Sequence, residues 1–352
     1  MNILIVKLSA IGDVIHTLPS LAALRKLYPK AHITWVVEEI SADLINGHPL
    51  LDRVLVSHRT SWIKEMKRGR IIWPLLEMVV FVKALRARRY DLVIDFHGLL
   101  KSAVIVGLSG GKRKLGYSSM QEMSGIFLNE KIPEDMNKHA VDRYLDFPRH
   151  LGAGETKPKF LIPIKEENRT RVHELLKAHQ IDAQAGFVAV NPVALWETKL
   201  WENQNFSRLC DRINEEFNIG IVFTGSGKKE LEEIRALMKR PSINMGAETT
   251  LKDLACLYKQ ARLVITTDTG PMHLAAAVGA PVVALFGPTA PARTGPYGEG
   301  HTIIRGEIPC SPCFKKKCKT KACMKEIAVE QVWEAVRNRI SAGRADYIPS
   351  CP

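Results

Sequence analysis

Two kinds of hydrophobic run alternate along this chain. Short apolar runs rich in β-branched residues predict strands at residues 2–8 (NILIVKL), 33–37 (ITWVV), 54–56, 90–96 (YDLVIDF), 186–191, 219–224, 264–266 and 281–286. Near-continuous runs of this kind suit parallel strands covered on both faces. Between them, apolar residues recur at helical spacing over 14–27, 71–85, 139–151, 166–179, 206–217, 251–260, 272–278 and 329–340. Residues 116–140 read as loop-rich. Residues 152–163 (GAGETKPKFLIP) are rich in Gly, Pro and Lys and predict a linker. Repeated strand–helix alternation on both sides of it predicts an α/β protein with two Rossmann-like domains, 1–157 and 158–352, facing one another across a cleft.

The polar residues at the strand ends carry the candidate chemistry. The first strand runs into Ser9-Ala10-Ile11-Gly12-Asp13 and then a helix, the opening of a Rossmann-like half. No G-x-G-x-x-G follows, so the dinucleotide fingerprint is missing. Asp13 is either a cap for that helix or a general base at the carboxyl end of the first strand. Residues 264–289 (VITTDTGPMHLAAAVGAPVVALFGPT) form a strand–turn–helix–strand unit, with Pro271 at the start of the helix and Gly279 at its end. The Asp268-Thr269-Gly270 turn leaves backbone N–H groups free at a helix N-terminus, which suits a phosphate. Lys199, between two tryptophans, lies in a strand-end loop, and Lys101 follows the strand at 90–96.

Composition narrows the setting. At 352 residues, with 46% apolar and 25% charged residues, the chain reads as a soluble globular protein of two domains. The formal net charge of +13 implies an anionic partner. Residues 1–8 lack the charged leader and cleavage site of a signal peptide, and no apolar run reaches the ~20 residues of a membrane span. The segment 58–70 (HRTSWIKEMKRGR) is basic. Its charges are interleaved with Trp62 and Ile63, and Ile71, Ile72, Trp73 and Phe81 follow, a mixture suited to an anionic membrane surface or acceptor. Cys310, Cys313, Cys318 and Cys323 lie among lysines near the C-terminus. Their spacing admits a structural metal site but more closely fits free thiols, with thiolates favoured by the neighbouring charge.

Five blocks together resemble one family. KLSAIGDVIHTLP, VIDFHGLLKSA, the NP…ETKLW loop, VITTDTGPMHLAAAVGAPVVALFGPT and the tail CSPCFKKKC are similar, in order, to the bacterial lipopolysaccharide heptosyltransferases of glycosyltransferase family 9. The opening block, with VVEE after it, most resembles the type I members, which add the first heptose to Kdo-lipid A. The resemblance implies a GT-B fold and inverting transfer from ADP-heptose without a required cofactor or catalytic metal. It implies Asp13 as base, with Lys199 at the donor phosphates. It further implies that Ala194, Leu195, Glu230, Asp268, Thr269, Gly270 and His273 surround the donor, Ala194 and Leu195 through backbone N–H groups alone. Gly12, Arg59, Lys64, Lys67, Lys101 and Arg113 would receive the carboxylates and phosphates of the acceptor. A cytoplasmic monomer, peripheral on the inner membrane face and without a nucleic-acid partner, is the expected state. The alternatives are the type II enzyme or another nucleotide sugar on the same fold. A non-catalytic protein binding anions or nucleic acid is remoter, for no helix-turn-helix, zinc-finger or RNP pattern is found.

Overall fold

The computed structural model describes residues 1–119, 121–155, 157–181 and 186–342; Thr156 of the expected linker lies outside these residues. The chain divides into two compact units, Met1–Pro163 and Ile164–Pro352.

The first unit holds β1 (Asn2–Val6), β2 (His32–Glu38), β3 (Arg53–Ser57), β4 (Leu92–Asp95), β5 (Arg113–Tyr117) and β6 (Glu130–Ile132). Its helices are α1 (Ile11–Leu27), α2 (Glu39–Ile45), α3 (Arg59–Lys67), α4 (Ile72–Arg86), α5 (Leu100–Leu108) and α6 (Ala140–His150). The second holds β7 (Phe187–Asn191), β8 (Gly220–Phe223), β9 (Ile243–Asn244), β10 (Leu263–Thr267), β11 (Val282–Phe286) and β12 (His301–Arg305). Its helices are α7 (Glu166–Ala178), α8 (Asn203–Phe217), α9 (Lys228–Leu237), α10 (Leu251–Gln260), α11 (Gly270–Ala277), α12 (Pro291–Thr294), α13 (Ala322–Lys325) and α14 (Val329–Ala342).

Each sheet has six strands, in the spatial orders β3-β2-β1-β4-β5-β6 and β12-β11-β10-β7-β8-β9. Every pairing is parallel. Counted within its own unit, each sheet therefore runs 3-2-1-4-5-6, the doubly wound order. Helices cover both faces, so the central strands are apolar throughout. Ile3, Leu4, Ile5 and Val6 of β1 are fully buried, as are Leu263, Val264 and Ile265 of β10. Burial of each such side chain stabilises by about 1.5–3 kcal/mol.

The expected central strands and long helices are present, with shifted ends. The first helix begins at Ile11, not residue 14, because Asp13 Oδ2 accepts the Ala10 N–H at 3.1 Å and so satisfies a free first-turn donor. The α10 bounds coincide with expectation. Thr250 Oγ1 accepts from the Asp253 N–H at 3.2 Å while Asp253 Oδ2 accepts from the Thr250 N–H at 3.0 Å, a reciprocal cap. The segment 116–140 is less loop-rich than expected, since β5 runs through Tyr117 and β6 lies at Glu130–Ile132. Both strands are short and charged, so they carry little hydrophobic pattern.

Arg113 opens β5 and binds the first residue of β6. Its Nε pairs with Glu130, its Nη2 donates to Glu130 Oε1 at 2.7 Å, and His150 Nε2 of α6 lies 2.6 Å from the same oxygen. The Arg113 hydrogen bond outweighs partial burial and, with His150, draws the Glu130 carboxyl from 4.5 down to about 2. A depressed carboxyl contributes stability above its unfolded pKa and loses it as pH falls through its folded one. Glu130→Gln should therefore lower Tm at pH 7, and the gap from the wild type should close as pH falls from 4.5 toward 2; thermal unfolding across that range checks this.

Candidate active site

In a doubly wound sheet the crossovers diverge between the first and fourth strands, leaving a crevice at their carboxyl ends. In the first unit that crevice lies beyond β1 and β4. Lys7 follows β1, and its side chain is buried. Its Nζ donates to the Phe96 carbonyl at 3.0 Å and to the Tyr144 hydroxyl at 2.7 Å, and lies 3.9 Å from Asp13 Oδ2. Burial pulls the Lys7 ammonium below its ordinary value, and the negative charges of Asp13 and Asp95 resist that shift. The Tyr144 hydroxyl is raised well above its usual range, first by burial and then by Asp13. Asp13 itself stays open to solvent, with its side chain 41% exposed. A buried cation thus backs an accessible carboxylate. Lys7 was missed in the sequence because it sits in an apolar run, and Tyr144 because it reads as the buried face of an amphipathic helix.

Beyond β4, Asp95 shapes the turn into α5. Its carboxylate accepts from the His97 N–H at 2.8 Å, the Gly98 N–H at 3.2 Å and Ser102 Oγ at 2.9 Å. His97 follows. Both its ring nitrogens are buried without a hydrogen bond of good geometry. Burial, then the charges of Lys7, Lys101 and Arg59, push its imidazole down to about 2, against a small opposing effect of the Ser9 backbone. It is therefore neutral at physiological pH.

Lys101 and Arg59, expected to receive an anion, meet at Glu38 on the end of β2. Arg59 Nε donates to Glu38 Oε1 at 2.8 Å, and Lys101 Nζ reaches Glu38 Oε1 at 3.3 Å and Ser9 Oγ at 2.8 Å. Burial raises the Glu38 carboxyl, but the two cations outweigh it and hold it below the usual range. Gly12 is buried in the first turn of α1. Lys64 and Lys67 are exposed along α3. Arg113 is not brought to this group. It starts β5 in register with Leu92, at the amino end of the parallel sheet, and is occupied by Glu130.

The second unit repeats the arrangement beyond β7 and β10. Asp268 follows β10, and Lys199 Nζ pairs with its Oδ2 at 2.6 Å while also donating to its carbonyl at 3.1 Å. Thr289 Oγ1, beyond β11, donates to the same carboxylate oxygen at 2.6 Å. The Lys199 ammonium also lies 4.6 Å from the centre of the Trp196 ring. Thr269 precedes α11, which starts at Gly270, and donates its hydroxyl to the Thr267 carbonyl; His273 is buried one turn in. Asn191 ends β7; its Nδ2 donates to Thr269 Oγ1 at 3.4 Å, while its buried Oδ1 has no hydrogen-bond partner among the described residues. Ala194 and Leu195 lie in the loop after β7, with Leu195 almost wholly exposed. Glu230 is exposed in the first turn of α9. A Cβ on Gly227 would stand 2.7 Å from Glu230 Oε2, so this carboxylate lies close over the turn that opens α9.

Among the described residues no group of three or more His, Cys, Asp or Glu side chains is placed to hold an ion, the four C-terminal cysteines included. Cys310, Cys313, Cys318 and Cys323 are free thiols. Cys318 is lowered mainly by the Thr320 hydroxyl and nearby backbone groups, with Lys315 a lesser cause, and burial raises Cys323. At Cys318 the neighbouring lysine is thus a lesser influence than expected.

Residues 78–324 match the model of glycosyltransferase family 9 (heptosyltransferase). The chain is 30% identical over 337 residues to lipopolysaccharide heptosyltransferase 1 of Pseudomonas aeruginosa, covering 90% of this chain and 87% of that one. Among solved structures, the family 9 glycosyl transferase of Veillonella parvula superposes with a TM-score of 0.82 at 24% identity, covering 97% of both chains. E. coli heptosyltransferase WaaC with ADP-2-deoxy-2-fluoro heptose gives 0.73 at 25% identity, covering 96% of this chain and 99% of that one. The chain belongs to glycosyltransferase family 9. It is a heptosyltransferase-type enzyme of α/β architecture, built on the same fold as these structures.

Gly225 offers a direct check on the second unit. It has φ +125°, and a Cβ there would lie 2.5 Å from Val193 Cγ2 and 2.9 Å from Asn191 Oδ1. Gly225→Ala should destabilise the unit by about 1–3 kcal/mol, as read by thermal unfolding.

Proposed function

We propose that the chain transfers L-glycero-D-manno-heptose from ADP-heptose to a Kdo-lipid A acceptor, the first heptose addition of the lipopolysaccharide inner core, with inversion at the anomeric carbon. The observation that carries the reading is Asp13: an accessible carboxylate at the carboxyl end of β1, backed by the buried Lys7 ammonium. The P. aeruginosa relative bears the name lipopolysaccharide heptosyltransferase 1, and the E. coli structure holds a fluorinated ADP-heptose. The relative's name supports the type I reading, and the analogue in the E. coli structure supports the donor.

Inversion is one in-line displacement. The acceptor hydroxyl oxygen attacks the anomeric carbon and gives its proton to Asp13 as the bond from that carbon to the ADP oxygen breaks. Lys7 keeps positive charge beside Asp13, and Tyr144 fixes the Lys7 position. In the second unit, Asp268, Thr269, Gly270 and His273 bind the donor, together with Glu230 and the loop backbone at Ala194 and Leu195. ADP leaves with added negative charge, which Lys199 and the N-terminus of α11 stabilise. The reading calls for no metal or cofactor. In the first unit, Gly12, Arg59, Lys64, Lys67 and Lys101 receive the acceptor's anionic groups. The enzyme acts as a monomer on the cytoplasmic face of an anionic membrane, which the net charge of +13 supports.

Thermal shift by ADP, with none by UDP or GDP, followed by sugar transfer from ADP-heptose to Kdo-lipid A, is the expected result; stabilisation by UDP or GDP instead would discard the donor. Asp13→Asn should lower turnover by about 10²–10⁴-fold with the Kd for ADP held within a few-fold. Equal loss of both would reduce Asp13 to a helix cap. Lys7→Met should leave Tm nearly unchanged, because the variant also removes the cost of burying an ammonium, yet turnover should drop by about tenfold or more.

A further inference from the structure

The sequence sets Trp62 and Phe81 in a surface segment suited to an anionic membrane or acceptor, but the fold turns both inward. Trp62 is buried, its Nε1 donates to Glu77 Oε2 at 2.6 Å, and its ring meets Phe81 at 5.9 Å. Phe81 and Ala84 pack against the buried cluster that contains Leu55, Leu85 and Tyr90, and Pro74 and Leu85 are buried on the same side of α4. Among the described residues none covers the opposite side of this helix. Ile72, Leu75, Leu76, Val79 and Val80 recur at the three- and four-residue spacing of one helix face, with Trp73 beside them, and each is 50–77% exposed. In an ordinary surface helix this stripe would be polar.

Charge surrounds the stripe. Residues 59–89 contain nine Lys and Arg against two Glu, a surplus that accounts for more than half of the chain's +13. Of the two acids, Glu77 is engaged by Trp62, and Glu65 is shared between Arg68 and Arg70. Lys67, Arg68 and Arg70 stand exposed before the helix, and Lys83, Arg86, Arg88 and Arg89 at its far end.

We infer that α4 is an in-plane membrane anchor, its outer stripe sunk among the lipids of an anionic bilayer and its basic ends against the headgroups. At 15 residues the helix is about 22 Å long, short of the ~30 Å hydrocarbon core, and no described helix is long and apolar enough to cross a membrane. It therefore lies along the surface, with Trp73 at the interface. A second copy of the chain is the poorer occupant. Antiparallel pairing of two such stripes brings the basic start of each helix onto the basic end of the other, whereas anionic lipid neutralises both ends at once.

The inference shares its lipid setting with the proposed acceptor but not its test, because vesicles without acceptor are used and no sugar is transferred. The full chain is floated with phosphatidylcholine vesicles and with vesicles that also contain phosphatidylglycerol. Binding should be confined to the anionic vesicles. The variant Ile72→Ser/Leu76→Ser/Val80→Ser should lose about tenfold in vesicle binding while Tm stays level or rises and ADP still stabilises it. Unaltered flotation of this variant would overturn the inference, as would failure of the wild type to float. A wild-type dimer in sedimentation that the variant converts to monomer would give the face to a second copy instead.

Discussion

Everything functional in this enzyme depends on how two parallel sheets are wound. A parallel strand returns only by a crossover, and crossovers of one hand cover one face as the sheet grows outward. Growth from the first strand in one direction and from the fourth in the other forces the connections apart between β1 and β4, and again between β7 and β10. The two crevices so formed are where backbone ends and polar side chains can collect without breaking the apolar layers. Lys7, Asp13 and His97 collect at one; Asn191, Lys199 and Asp268 at the other.

How much of this was legible follows from how each part is encoded. Central strands are legible because both faces are buried and the sequence becomes an unbroken apolar run, as in ILIV of β1. Edge strands such as β6 (EKI) carry one apolar residue in three, and periodicity has nothing to act on. Turn chemistry was legible where special residues announce it, as Pro271 and Gly279 do around α11. The partners of the site were not. Lys7 interrupts an apolar run, and nothing local says that it bonds Tyr144, 137 residues away. Arg113 erred the other way: a basic residue after a strand looks available for an anion until the register sets it at the amino edge of the sheet beside Glu130. The basic–aromatic composition of residues 58–89 is legible in the sequence, but composition could not say which side of α4 turns outward.

Both crevices answer the problem of keeping charge inside a protein in the same way. Each buried or half-buried cation has a protein anion or carbonyl at hand: Lys199 has Asp268, Lys101 and Arg59 have Glu38, and Lys7 has Phe96 and Tyr144 with Asp13 beyond. Such pairs hold side chains in one geometry at modest net gain in stability, since desolvation opposes the attraction. Their value lies in orientation: the ammonium and guanidinium groups are fixed before any substrate arrives, which lowers the cost of ordering them during the reaction.

The Glu38 pair carries a consequence for turnover. A carboxylate or phosphate that approaches Lys101 and Arg59 does not fill an empty socket. It competes with a resident carboxylate already bonded to both cations. Binding there is an exchange, and its strength is the difference between two similar ion pairs. An anionic group anchored by exchange is held loosely and released readily, with Glu38 returning to re-form the closed pair behind it. On the proposed reading, in which the product keeps every anionic group of its acceptor, such a self-healing site would protect the cycle from stalling on its own product.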